Sequence, residues 1–171
     1  MKKGAAYWMD LHQFDDKDSI FLAKVQKGIT NFVRILTEKE IPVEYATTGD
    51  SMTDGKTVFI ASNIKKDTID YTVGLALHEA SHILLTDFSY LRKEKGKLLE
   101  VKWGIPKEDI DNVFTLINFV EDKRIDNFVY STAPGYQLYY EELYRKSFYN
   151  KIIDKNLQKD NFTTPTGEAY F

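Results

Sequence analysis

The chain has 171 residues, 43% apolar and 14% aromatic, with a formal charge of −3 and no cysteine. That length sustains one hydrophobic core rather than two, and the apolar content argues against disorder over most of it. Disulfides, thiolate zinc ribbons and cysteine nucleophiles are excluded, and with no block of Lys and Arg a nucleic-acid footprint is too.

Residues 1–15 are aromatic but aperiodic and read as an ordered arm. Asp10 and His12 break up any apolar signal segment, and no stretch reaches the length that spans a bilayer. A soluble, cytoplasmic protein with no membrane association is expected. From Asp18 to Lys39 the periodicity predicts a helix, its stripe formed by Ile20, Phe21, Val25, Ile29, Phe32, Val33 and Leu36. Pro42 stops it, and Pro42–Ala46 reads as a short strand. Turn formers fill 47–55, and Asp54-Gly55 leads into a second strand over 56–61. The two strands are expected to pair as a hairpin-like edge, with Val58–Ala61 free to receive an extended peptide.

Asp67 or Thr68 can cap a helix over about 68–87, apolar around most of its circumference. A lysine-rich connection follows, and Pro106 opens a long helix to Val129 or Tyr130, closed by Ala133-Pro134-Gly135. A tyrosine-rich amphipathic helix is predicted over about 137–154. The expected architecture is α+β and predominantly helical: one domain over 1–160, with 161–171 a disordered tail or the stump of a linker.

The helix over 68–87 carries His78-Glu79-Ala80-Ser81-His82, which holds two of the three histidines in the chain. Residues four apart lie nearly above one another on a helix, so His78 and His82 present two imidazoles to one point. A lone buried histidine is ordinarily a core residue bonded to backbone. Two at this spacing, with Glu in second position, supply two legs of a tetrahedral zinc site and a base beside it. A catalytic zinc needs a third protein ligand. A third histidine six residues on is ruled out, because that position is Phe88, and the glycine that accompanies it is replaced by Leu85. Asp87, nine residues from His78, points to the opposite side of the helix. Glu94 and Glu108 fall in solvated segments, and Glu100 ranks second. Glu121 ranks first, on a row through Phe114, Ile117, Asn118, Ile125 and Phe128 where an unpaired carboxylate would be costly. Its alternative is an ion pair with Arg124, three residues on. Asp122 or Asp126 could accept the free N–H of a metal-bound imidazole, with Arg124 balancing charge; spacing does not say which.

The metal motif followed by Asn118-Phe119-Val120-Glu121-Asp122-Lys123-Arg124-Ile125-Asp126 resembles a group of zincin-like metallopeptidase domains. They occur beside von Willebrand factor A domains in bacterial proteins and in tailed-phage proteins. Thr53–Ile60 and Ala133–Tyr140 are similar to that group as well, so the resemblance covers about 45–150. It implies a zincin-like fold with a small sheet before the metal helix and a ligand helix after it. It also implies Zn2+ on His78, His82 and Glu121, and a von Willebrand factor A domain or another protein as partner. The expected activity is peptide-bond hydrolysis, with Glu79 the general base and Tyr130, Tyr136, Tyr139 and Tyr140 the candidates for oxyanion stabilisation. The alternative is a phage-type assembly module that binds zinc without cleaving. A purely structural zinc would need a fourth ligand, for which His12 is the only spare histidine.

Overall fold

The apolar stripe of the first helix is what docks it. In the computed structural model, which describes residues 18–46, 50–88 and 98–147, helix α1 (Asp18–Thr37) buries Val25, Ile29 and Val33, with Phe21, Phe32 and Leu36 at their margin. Ile20, at the head of the predicted stripe, stays exposed. The helix stops two residues before Lys39: Thr37 turns its hydroxyl back to Val33 O, and Glu38 takes a left-handed φ of 54°. The expected arm, 1–15, and tail, 161–171, lie outside the described residues.

Three short strands follow: β1 (Val43–Ala46), β2 (Met52–Thr53) and β3 (Val58–Ala61). Their order is β1-β3-β2, with β1 parallel to β3 in the register Val43 to Val58, and β2 antiparallel to β3. The expected pairing of β1 and β3 as a hairpin is therefore corrected, and the reason lies in the turn. Asp54 Oδ1 accepts the N–H groups of Lys56 and Thr57, and Gly55 adopts a φ of 88°. This closes β3 onto the residues just before the turn, leaving β1 to join from the other side. It also makes β3 the central strand, with Val58 and Ile60 buried. Val58 and Phe59 are paired on both sides, so β3 is not the expected free edge strand.

Helix α2 (Ile69–Leu85) is the hub of the fold and packs on α1, on strands β2 and β3, and on the two later helices. Those are α3 (Ile110–Thr132) and α4 (Gln137–Ser147), the latter described seven residues short of its predicted end. The architecture is thus predominantly helical α+β, with a small sheet ahead of α2. Among the described residues, no helix is long and apolar enough to cross a membrane.

Helix α4 crosses α2 at Gly74, where a built Cβ would lie 2.4 Å from Tyr139 O and 3.1 Å from Leu143 Cβ. Alanine is the better helix former in isolation, but here it forces two backbones apart. We expect Gly74→Ala to lower unfolding free energy by about 1–3 kcal/mol in a urea titration; an unchanged midpoint would show that the crossing can yield.

Helix α3 differs most from its predicted face. Ile125 of the expected row is buried, together with Asp126 and Val129, whereas Ile117 and Phe128 of that row are exposed, as are Leu116, Phe119 and Val120. The buried side is rotated toward residues 122, 125, 126 and 129. That rotation decides which acid meets the histidines.

Candidate metal centre

His78 and His82 project from the side of α2 that faces α3, their ring centroids 4.8 Å apart and their planes nearly perpendicular. The carboxylate opposite them is Asp122, one turn before Ile125 and Asp126 and so in the middle of the buried face. Asp122 Oδ1 lies 3.2 Å from His82 Nε2 and 4.0 Å from His78 Nε2. These three groups can each offer one ligand atom within 4.8 Å of the others.

Glu121, the acid favoured by sequence, does not take this place. One residue earlier means a turn of about 100° around the helix, which moves it to the flank. There Arg124 grips it with two bonds of 2.7 Å, Nε to Oε2 and Nη2 to Oε1, and Thr86 Oγ1 donates to Oε1 at 2.6 Å. The Arg124 contact, and less so the Thr86 hydroxyl, hold its carboxyl below the usual range. The ion-pair alternative for Glu121 describes the geometry, and the acid that faces the two rings is Asp122. Glu100, ranked second, is also elsewhere: it is exposed and 3.5 Å from Lys107 Nζ. Glu108 is exposed, and Glu94 and His12 lie outside the described residues.

The hydrogen bonds behind the rings determine where their protons sit. His78 Nδ1 is 2.7 Å from Asp126 Oδ1, and the other oxygen of Asp126 accepts the Tyr144 hydroxyl at 2.7 Å. An ionised carboxylate only accepts, so Nδ1 carries the proton and Nε2 keeps a lone pair. Of the two acids that could have served a histidine in this way, it is Asp126 that does. His82 Nδ1 is 3.0 Å from Thr86 Oγ1. The one proton of that hydroxyl is directed at Glu121, so Thr86 accepts from Nδ1–H, and His82 Nε2 is also a lone pair. In the neutral rings both lone pairs face Asp122 Oδ1, which is shut off from solvent and has no hydrogen-bond partner among the described residues. With both rings neutral, three acceptors face one another, an arrangement that either a proton on Nε2 or a bound cation neutralises.

Glu79 follows His78 on the helix and is partly buried, with no hydrogen bond to a described residue. Burial raises its carboxyl above the usual range, the two imidazoles pull it back, and Asp122 and Asp126 push it up further. His78 is lowered by burial, but the bond and charge of Asp126, with the charges of Glu79 and Asp122, leave it raised overall.

The four tyrosines expected near an oxyanion make the following contacts. Tyr136 and Tyr139 meet Phe32 edge-on at 6.1 and 5.1 Å, and burial pushes the Tyr139 hydroxyl up to about 12. Tyr140 is fully buried with its hydroxyl 3.1 Å from Ser81 Oγ, and Tyr130 donates to Glu141 Oε1 at 3.2 Å. The short turn (Pro134–Tyr136) folds α4 back onto α2, with Tyr139 against Phe32 of α1.

No protein-family model, curated protein or solved structure matches the chain. The site therefore stands on its own geometry. Sequence reasoning missed Thr86 and Tyr144. Thr86 carried a signal, because it stands four residues after His82 on the same helical row. Tyr144 carried none; only the packing of α4 brings it to Asp126.

Proposed function

We propose that His78, His82 and Asp122 hold a divalent metal, zinc above all, and that the protein is a zinc-dependent metallopeptidase with a zincin-like arrangement of helices. The observation that carries this reading is Asp122 Oδ1, buried with no hydrogen-bond partner among the described residues and facing the Nε2 atoms of both imidazoles. Two imidazoles and one carboxylate are a donor set that suits zinc, and three protein ligands leave a coordination position for solvent or substrate.

Bound there, zinc would supply Lewis acidity, acidifying water and polarising a carbonyl. The rest falls to side chains. Glu79, beside His78 and without a competing hydrogen bond among the described residues, accepts the proton of the attacking water and returns it to the departing amine. Asp126 and Thr86 keep the Nδ1 protons away from the reaction side. Peptide hydrolysis, rather than metal storage, is supported by Glu79 itself, since binding alone does not require a glutamate there. The resemblance of residues 78–82 and 118–126 to zincin-like peptidases points the same way, although the ligand acid is the neighbour of the one that the resemblance implies.

The test is metal analysis of the purified protein, paired with digestion of an unfolded protein with and without chelator. We expect about one zinc per chain and cleavage that the chelator abolishes and zinc restores. Stoichiometric zinc without cleavage would favour the assembly-module alternative, and absence of zinc after reconstitution would reject the site.

A further inference from the structure

Accepting the metal reading above, we infer that Thr86 and Glu121 act as a positioning relay for His82, so that Glu121 serves the metal through Thr86 instead of ligating it. Thr86 holds His82 twice: its backbone N–H donates to His82 O at 2.9 Å, and its hydroxyl receives the ring's Nδ1–H at 3.0 Å. The chain leaves the helix at Thr86, where φ is −95° and ψ is 132°. That extended conformation lets a side chain just past the helix end turn back onto the ring.

The hydroxyl is itself fixed in direction. Glu121 takes its proton at 2.6 Å, and Arg124 pins Glu121 with two bonds while donating to Leu85 O at 2.9 Å. The chain of contacts from Leu85 through Arg124, Glu121 and Thr86 to His82 ties the open C-terminal end of α2 to α3, the helix that carries Asp122. One relay thus sets both the proton position on His82 and the spacing of the two helices that supply ligands. His78 differs in being backed directly by the Asp126 carboxylate. A hydroxyl can donate or accept, so His82 needs Glu121 to break that symmetry, whereas His78 needs nothing further.

Zinc affinity, measured by competition with a chromophoric chelator, tests this on the full chain in wild type, Thr86→Val, Thr86→Ser and Glu121→Gln. The visible spectrum of bound Co2+ reports the coordination geometry. Thr86→Val should weaken zinc by about 10- to 100-fold and shift the Co2+ bands, Thr86→Ser should stay within about threefold of wild type, and Glu121→Gln should lose roughly tenfold with one metal still bound. Valine affinity within about threefold of wild type would overturn the relay. So would serine as weak as valine, because then the hydroxyl is not what matters. Melting of the apo proteins separates misfolding from a local effect; if Thr86→Val melts early, Glu121→Gln decides, and wild-type affinity there overturns the relay. Failure of the metal reading looks different: wild type takes up no zinc, or His82→Ala binds as tightly as wild type, and the relay falls with it.

Discussion

Asp122→Ala should remove zinc from the protein, whereas Glu121→Ala should only loosen it. A zinc site built into a fold is worth on the order of 10 kcal/mol, so losing one of three protein ligands costs roughly 3–4 kcal/mol, a weakening of several hundred-fold or more. Loss of a residue behind the ligands typically costs about 10- to 100-fold. The order of the two variants reverses if Glu121 is the true ligand, which makes direct titration with zinc decisive. A second readout has the opposite sign. In chelator at mildly alkaline pH, Asp122 Oδ1 is a buried acceptor facing two lone pairs, so Asp122→Ala should stabilise the apo protein by about 1 kcal/mol in a urea titration. Glu121→Ala breaks the bonds to Arg124 and Thr86 and should destabilise it. An apo Asp122→Ala protein less stable than wild type would mean that a protonated imidazole, rather than a metal, neutralises the carboxylate.

Glu79→Gln should abolish turnover and leave zinc in place. The substitution keeps size and shape but removes the basic oxygen, and a positioned general base is worth about 10²–10⁴ in rate. The loss cannot be attributed to unfolding. Burial raises the Glu79 carboxyl above its unfolded value, so in the folded apo protein the ionised form is disfavoured. For an acid shifted in that direction, the favourable contribution is present at low pH and is lost as pH rises through the folded value. At neutral pH the charge therefore opposes folding, and the neutral glutamine should be at least as stable as wild type in a thermal melt. Zinc retained, stability retained and turnover gone would identify the base. Turnover within about tenfold of wild type would exclude Glu79 from the chemistry and favour a binding module.

The order of the helices was legible from local chemistry. Val25, Ile29 and Val33 recur at helical spacing, Pro42 and Pro106 bound elements, and Asp54-Gly55 marks a turn. Each signal lies within a few residues of its effect. The sheet was less legible because the turn names only the strand it closes. Which earlier residues pair with β3, and in what direction, depends on the register with Pro42–Ala46 across the intervening residues.

The convergence of His78 and His82 was legible in the sequence because they are four residues apart on one regular element, and helix geometry alone turns that spacing into convergence. Which carboxylate faces them was not, because Glu121 and Asp122 are adjacent and differ only by the rotation of α3 about its axis. Local apolar content favoured the face through Ile117, Ile125 and Phe128, whereas packing buried the side shared by Ile125 with Asp126 and Val129. The rotation is set by contacts with α2 and α4, tens of residues away, which bring Tyr144 to Asp126 and Thr86 to Glu121. Spacing along one helix is a short-range property carried by the chain itself, but the phase between two helices exists only once they have packed.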